Sequence, residues 1–409
     1  MSRKISAAIV AASVLIGGSG TAYAADDPQA PGKIAIAPIV DARLRYETVD
    51  QPATEADALT FRLRAGIEAK AGKLSFLAEG EGTLALADDY NAFPFPIASN
   101  QRRPQFSVVA DPENIELNRL QVAYRDGGNA LTLGRQRINI DDQRWVGSVG
   151  WRQNEQTFDA VRGEAKIGPV GIDMVYAIDQ RTVFGDEAGA RTSYDGDFVF
   201  VGGSGGFGPF KAKLFAYLID YDEPFFLANS SQTYGILLNG GFPVGSGAKI
   251  DVKASYARQS DYGSNPFDYA ADYWLVEGQA SISGFAVTAG RESLGSDAGR
   301  SVQTPMATLH KFNGWADTFL TTPAAGLQDV YVGAKYSFDG IAALKGLNAG
   351  VTYHSFDSDI GGIDYGDEWD ASIGFTVGKI TLLAKYADYN AGALGVDTRK
   401  FWLQAGWSY

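Results

Sequence analysis

The chain has 409 residues, a formal net charge of -13, no cysteine and only two histidines, His310 and His354. The absence of cysteine excludes disulfides and thiolate metal sites, and two histidines leave little material for a metal or catalytic centre. We expect no cofactor, no metal and no catalytic residue. So acidic a chain is also a poor candidate for binding nucleic acid through its overall charge.

The first element in chain order is a targeting segment. Arg3 and Lys4 precede an apolar run over residues 5–16, and Ala22-Tyr23-Ala24 follows as a small-x-small cleavage site. This pattern is typical of a secretory signal peptide, and the run is shorter than the roughly 20 residues of a membrane helix. We expect residues 1–24 to be removed, residues 25–32 to form a short N-terminal segment and residues 33–409 to form one domain. Removal leaves 33 basic and 48 acidic residues, a net charge of -15.

Period-two alternation of polar and apolar residues recurs from residue 34 to the last residue, and it predicts β-strands. Eight short turns alternate with nine longer polar segments, which predicts 18 strands with both termini at the short-turn end. Bacterial outer-membrane barrels have this asymmetry and an even strand number. The predicted fold class is therefore all-β, a transmembrane antiparallel barrel with short periplasmic turns and long extracellular loops. A soluble secreted β-protein is the alternative.

The first hairpins predict which side chains face the lumen. A turn at Ala71-Gly72 and a preceding loop centred near residue 53 fix a register for the first three strands. Charged side chains facing lipid would cost about 2–4 kcal/mol each near the midplane, so the charged face should line water. The predicted inward rows are Arg43–Arg64–Glu79 and Arg45–Arg62–Glu81. The predicted lipid-facing residues are Leu44, Phe61, Leu63, Phe76 and Tyr409.

A basic cluster follows in GRQRINIDDQRWVGSVGWRQNEQTF. Leu131 and Leu133 have the parity of a lipid face, so strict alternation would put Arg135 and Arg137 in lipid as well. We therefore predict a bulge at Gly134 that turns both arginines inward.

Two further arginines, Arg144 and Arg152, fall in the next external loop, which we expect to fold over the mouth. Guanidinium groups match carboxylates and phosphates, so the cluster is interpreted as an anion-attracting constriction. The alternative interpretation is that the arginines pair with nearby carboxylates and hold the loop in shape. Those carboxylates are Asp141, Asp142, Glu155 and Asp159.

A later loop, TPMATLHKFNGWADTFLTTP, is unusually apolar for an external segment. Its apolar residues recur at near-helical spacing, which predicts a short element inside the barrel. Phe312 and Trp315 are candidates for a constriction or for sugar stacking, and a packed loop that plugs or braces the wall is the alternative. His310 with Asp317 suggests acid–base chemistry only weakly, because spacing alone supports no serine–histidine–acid arrangement. His354 is expected on a strand near the external rim.

Two stretches, LGRQRINIDDQRWVGSVGWRQNEQTFDAVRGE and TPMATLHKFNGWADTFLTTPAAGLQDVYVG, resemble hallmark sequences of the alginate-export family of outer-membrane barrels. The resemblance implies an 18-stranded barrel with an electropositive lumen that passes anionic polysaccharide. It also implies that terminal Tyr409 belongs to the signal read by the outer-membrane assembly machinery. The alginate exporter closes its periplasmic side with a long loop, whereas every predicted periplasmic turn here is short.

These observations predict a channel in the outer membrane of a Gram-negative cell. Expected partners are small anionic or sugar solutes, outer-membrane lipid and lipopolysaccharide, whose phosphates the acidic external loops would reach through divalent cations. A solvated acidic rim is the alternative reading of those loops. The first alternative function is a general-diffusion or nutrient-uptake porin with no role in polysaccharide export. The second is a barrel-borne hydrolase, which would need a catalytic serine or aspartate beside a histidine at the rim.

Overall fold

The computed structural model describes residues 34–409 and shows a closed antiparallel β-barrel of 18 strands. The predicted signal peptide and N-terminal segment lie outside the described residues. The first strand pairs with the second on one side and with the last on the other, which closes the barrel and confirms the predicted architecture. The strands, β1 to β18 in chain order, are Ala35–Asp50, Glu55–Ala71, Leu74–Asp89, Asn114–Asp126, Asn129–Gln136, Thr157–Ile167, Val170–Arg181, Ser193–Phe207, Phe210–Tyr221, Ser231–Val244, Ala248–Asp261, Ala270–Ile282, Phe285–Leu294, Leu327–Ser337, Lys345–Asp357, Asp364–Val377, Ile380–Ala391 and Thr398–Ser408.

The predicted alternation of short and long connections is confirmed. At the end that holds both termini, connections contain two to seven residues, as at 72–73 and 338–344. At the other end the longest connections are 90–113, 137–156 and 295–326. Short turns face the periplasm in outer-membrane barrels, so the long loops are taken as extracellular. No helix within residues 34–409 is long and apolar enough to span a membrane.

The predicted inward and outward faces of the first strands are those of the structure. The inward set of arginines and glutamates is buried, while Leu44 and Leu63 are exposed on the outer surface. Phe76 and Tyr409 are exposed as well, and Phe61 is half-buried. The exterior therefore presents an apolar belt, and the interior carries the charges.

The predicted register of the first hairpins is wrong by two residues. The turn is Gly72-Lys73, because Gly72 adopts a left-handed φ of 59° at the first central position of a two-residue turn. Arg64 consequently faces Glu81 instead of Glu79, and the wall rows are Asp41–Arg64–Glu81 and Arg43–Arg62–Thr83. A register shift of an even number of residues leaves each side chain on the same face of the sheet, so the predicted inward and outward faces are still correct.

The predicted bulge at Gly134 is also wrong. Pairing on both sides of Gly134 continues without a register shift, although its φ is 107°. The bulge lies one strand earlier, where Glu79 pairs with Arg119 and Gly80 with Leu117, so that Asn118 is the extra residue. Both side chains at the bulge then reach Glu79 in the interior: Asn118 at 2.9 Å and Arg119 at 2.8 Å.

Two extracellular loops fill the interior of the barrel. Ile138, Val146 and Trp151 of loop 137–156 join Met306 and Phe319 of loop 295–326 in one buried cluster with aromatic wall residues. The loops also pair with each other, because Val146 and Met306 form a parallel bridge. The described lumen is therefore packed around these two loops.

Candidate functional site

Loop 137–156 is fastened inside the barrel by the wall arginines. Arg43 donates hydrogen bonds to the carbonyl oxygens of Gly150, Trp151 and Arg152, at 3.0–3.1 Å. Arg45 donates to the Trp151 carbonyl oxygen and, at 2.6 Å, to Gln404. Its guanidinium also lies 4.1 Å from the centroid of the Trp151 ring. Arg43 and Arg45, which were both predicted to face inward, therefore bind the backbone of the loop as well as lining the wall.

Glu155 is the centre of a buried charge network on this side of the lumen. It pairs with Arg64 of the wall and with Arg137, and it accepts a hydrogen bond from Asn118 at 3.1 Å. Burial opposes its ionisation, but Arg137 and Arg64 outweigh burial and hold the pKa of this carboxyl well below its ordinary value. The Glu155 carboxylate is therefore a permanent negative charge between two cations.

The other wall charges extend the same network. Glu79 accepts from Arg119 at 2.6 Å and from Arg137 at 3.3 Å, while Glu81 pairs with Arg64. Arg62 pairs with Asp41 of the neighbouring strand. Arg64, Glu79 and Glu81 thus lie in one connected network around Glu155, and the Arg62–Asp41 pair stands beside it.

A second centre joins the two loops to the last two strands. Asp317 of loop 295–326 accepts from Arg152 at 2.7 Å and from Lys400 at 3.1 Å. Its other oxygen lies 2.7 Å from His310 Nδ1, and His310 Nε2 lies 2.7 Å from Lys385 Nζ. Burial, with the Lys385 charge acting in the same direction, holds the pKa of His310 well below its ordinary value. The imidazole is therefore neutral at neutral pH, and it can accept a hydrogen bond from Lys385 Nζ at Nε2 while donating one to Asp317 from Nδ1.

Arg144 is placed in the interior on the opposite side of loop 137–156. It donates to Glu292 at 2.8 Å and to Asn313 at 3.2 Å, and its guanidinium lies 4.7 Å from the Phe312 ring centroid. Of the four carboxylates proposed as partners of the arginine cluster, Asp141 and Asp142 form ion pairs with Lys213 and Lys253. Arg144 therefore connects the two loops to the wall.

Arg135 does not join the interior network. It pairs with Asp159, the residue opposite it on β6, at 2.7 Å, and it is partly exposed. Without a bulge at Gly134, Arg135 keeps the parity of the exposed Leu131 and Leu133. Arg137 turns inward because β5 ends at Gln136 and the chain enters the lumen there. Of the two arginines predicted to be inward, only Arg137 is found inside.

Phe312 and Trp315 lie inside the barrel, but their ring faces are occupied. Lys385 Nζ lies 3.5 Å from the Trp315 ring centroid, and Arg144 covers Phe312. The segment is irregular, and its helical part is limited to a three-residue 3-10 helix at Leu309–Lys311. These contacts favour the packed, bracing loop over the sugar-stacking interpretation.

The two sides of the lumen carry opposite charge. On the side of β1 to β4 and of the last two strands, nine cationic side chains meet seven carboxylates. The cations are Arg43, Arg45, Arg62, Arg64, Arg119, Arg137, Arg152, Lys385 and Lys400, and the carboxylates are Asp41, Glu47, Glu79, Glu81, Asp111, Glu155 and Asp317.

On the adjoining strands β13 to β16, carboxylates exceed cations. Glu292, Asp329, Glu368 and Asp370 surround Arg144 and His354, and His354 binds Asp329 at 2.9 Å. Asp329 is bridged to Glu292 by the Asn313 amide. A solute in the lumen therefore meets excess positive charge along one part of the wall and excess negative charge along the adjoining part, and low-dielectric walls strengthen both local fields.

Sequence reasoning missed the acidic group and the two lysines at the His310–Asp317 pair, of which Lys385 contacts His310 and Lys400 contacts Asp317. Lys385 and Lys400 lie at inward positions of alternating strands, so parity alone would have placed them in the lumen. Their partners lie 75 and 83 residues away in the chain, and no local pattern indicates that separation.

Comparison with known proteins supports the family resemblance and the fold. The sequence profile of the alginate export family matches residues 73–223, which confirms the resemblance seen in the arginine-bearing stretch. No curated protein sequence matches the chain.

The solved structures to which the chain is similar include three barrels from two organisms. OpdO of Pseudomonas aeruginosa has 16% sequence identity and a TM-score of 0.68, over 91% of this chain and 97% of that chain. OpdK of the same organism, crystallised with vanillate, has 15% identity and a TM-score of 0.69, over 91% and 98%. OccAB1 of Acinetobacter baumannii has 13% identity and a TM-score of 0.70, over 91% and 96%. At these identities the likeness establishes the fold alone.

Proposed function

We propose that this protein is an outer-membrane channel that passes small anionic or sugar-like solutes, including segments of anionic polysaccharide. The observation that carries the proposal is a closed barrel with an apolar exterior and a charged interior, in which a loop rich in arginine is folded. A channel needs binding that is favourable enough for entry and weak enough for exit. Paired guanidinium groups supply moderate attraction of this kind, because each remains charged while its neighbours offset part of its field.

One observation favours the uptake alternative over polysaccharide export. Every connection at the periplasmic end has two to seven residues, so the described residues provide no periplasmic closing loop. The loops that occupy the lumen, 137–156 and 295–326, enter from the extracellular end. OpdK, which shares the fold, was crystallised with vanillate, a small carboxylate. Selection at the extracellular entrance suits a porin that takes up small nutrients.

The experiment that tests the channel is liposome swelling with three solutes of similar size. We expect glucuronate and glucose to enter faster than glucosamine, because the arginine side of the lumen carries the excess positive charge. Entry of a guluronate tetrasaccharide would support polysaccharide passage, and its exclusion would leave the uptake function. No swelling above protein-free liposomes with any of the solutes would contradict the channel itself.

The placement of the termini is part of the same proposal. Residues 1–24 would direct export, residues 25–32 would precede the barrel, and residues 33–409 would form it. N-terminal sequencing of the protein extracted from outer membranes should then begin at Ala25. Tyr409, whose ring is exposed and whose amide donates to the Val40 carbonyl at 2.8 Å, would complete the assembly signal. Its deletion should lower the amount of folded barrel in the membrane.

A further inference from the structure

Arg291 is a charged side chain on the apolar exterior of the barrel. Its neighbours across the sheet are Val276 and Val330, which are both exposed on the outer surface. The next residue in the chain, Glu292, is buried in the lumen, so alternation places Arg291 on the lipid side. A guanidinium in this position is costly unless it reaches the membrane interface or an anion.

The contacts of Arg291 are all with uncharged groups. It donates to the Gln328 side-chain oxygen at 2.5 Å, and its guanidinium lies 5.1 Å from the Trp274 ring centroid. No carboxylate of residues 34–409 lies within ion-pair distance of it. Arg291 therefore has no direct ion pair on the side that faces lipid, and Asp359 is the carboxylate that binds the other end of the Gln328 amide.

The register locates Arg291 near the outer leaflet boundary. Trp274 pairs with Ser293 and with Tyr256. Trp274 therefore lies one outward-facing position nearer the extracellular end than Arg291. Exposed aromatic residues at this level are typical of the interfacial girdle. At the periplasmic end of the same strands, Phe285 pairs with Tyr336 in the opposite girdle. Arg291 thus lies just below the upper girdle and extends toward it.

A second guanidinium lies two strands away, nearer the extracellular end. Arg258 lies opposite Asp272, and their ion pair of 3.0 Å is about half exposed on both sides. Asp272 and Trp274 are two residues apart on one strand, about 7 Å, so both arginines border one patch. Exposed ion pairs contribute little, so Arg258 can turn to a stronger anion at small cost.

From this geometry we propose that the patch of Arg258, Trp274, Arg291 and Gln328 binds a phosphate group of lipopolysaccharide in the outer leaflet. Guanidinium groups bind phosphate through two parallel, charge-assisted hydrogen bonds, and Trp274 lies against the Arg291 guanidinium. The occupant is the lipid phosphate, because the patch faces the bilayer and not the lumen. The inference depends on the outer-membrane placement in the proposed function and not on transport.

The test measures lipid binding to the purified full-length barrel in detergent by native mass spectrometry. The probe is hexa-acylated lipid A with both phosphates, and the comparison probe is the same lipid with both phosphates removed. We expect R291Q to raise the apparent dissociation constant for the phosphorylated probe about tenfold, the scale of one charge-assisted bond. The matched control is R399Q, because Arg399 is also exposed at the outer rim but lies on β18, four strands away from the nearest residue of the patch. R399Q should bind like the wild type.

Several results would overturn the proposal. Equal binding by the wild type and R291Q, equal binding of the dephosphorylated probe, or an equal loss in R399Q would each do so. Competition by 10 mM inorganic phosphate would reassign the patch to free anions, and dissociation of an oligomer in R291Q would reassign it to a subunit contact. If R291Q does not fold, R291K retains the charge without the planar fork, and it should bind several-fold more weakly than the wild type. A barrel that binds lipid A normally but conducts nothing would contradict only the proposed function.

Discussion

Replacing Arg137 and Arg135 separately should show which arginine contributes to the field of the lumen. R137Q removes one positive charge from the interior network, whereas R135Q removes one from a rim pair with Asp159. We expect R137Q to shift ion preference toward cations and R135Q to leave it nearly unchanged. Both variants should fold, because in R137Q Glu79 keeps Arg119 and Glu155 keeps Arg64.

The size of the shift follows from one unit charge near a hydrated path. Two unit charges about 10 Å apart in water interact by about 0.4 kcal/mol, which falls to about 0.15 kcal/mol over one Debye length at 0.1 M salt. Removing the charge lowers the local anion concentration and raises the cation concentration by about 1.3-fold each. The permeability ratio then changes by roughly 1.7-fold. A tenfold salt gradient gives about 59 mV for ideal selectivity, so the shift is on the order of 10 mV.

The assay is the reversal potential of the reconstituted channel in planar bilayers with 0.1 M and 0.01 M KCl. Heat-modifiable migration on gels checks that each variant is folded. A shift of the same size in R135Q and R137Q would refute the assignment of Arg135 to the exterior. An unchanged potential in folded R137Q would mean that the network is structural and does not act on permeating ions.

Three further predictions concern the loops and the wall. D317N leaves Arg152 and Lys400 without their shared carboxylate, and breaking such buried pairs costs about 3–5 kcal/mol. We therefore expect more protease cleavage in loops 137–156 and 295–326 and more current noise. Unchanged cleavage would argue against Asp317 as the link between the loops and the wall. G134A should destabilise the barrel strongly, because a Cβ there would lie 2.3 Å from the Leu120 carbonyl oxygen. G72A has open space around the added Cβ and should cost only about 1–2 kcal/mol. Thermal melting of both variants in detergent compares the two effects. Because the pKa of His310 is held below about 6.5, the unfolded chain binds a proton below that pH that the folded chain does not bind. The free energy of unfolding should therefore fall by up to about 1.4 kcal/mol per pH unit below 6.5. H310Q should flatten this slope between pH 7 and 5, and an equally steep slope in H310Q would assign it to other groups.

Alternation and loop length predicted the strand count and the faces because both are local properties of the sequence. The register was missed by two residues because Gly72 and not Ala71 begins the turn, a choice that depends on backbone conformation. The misplaced bulge had a visible signal: outward residues are odd-numbered through Leu117 and even-numbered from Leu120, so the parity changes between them. A change of parity within a strand requires an extra residue.

The site was predicted only in part, for a different reason. Parity placed Arg43, Arg45 and Arg64 in the lumen, but their partners come from a loop about 90 to 110 residues away. The acidic side of the lumen is likewise assembled from separate strands. Contacts at such separations depend on how the loops pack, which no repeat or spacing in the sequence records.

The most direct test of the account is the reversal potential of the wild-type channel under the same KCl gradient. We predict stepwise conductance with a mild preference for anions, because the arginine side of the lumen has an excess of positive charge. A preference for cations would mean that the acidic side or the rim governs permeation, and it would contradict the account.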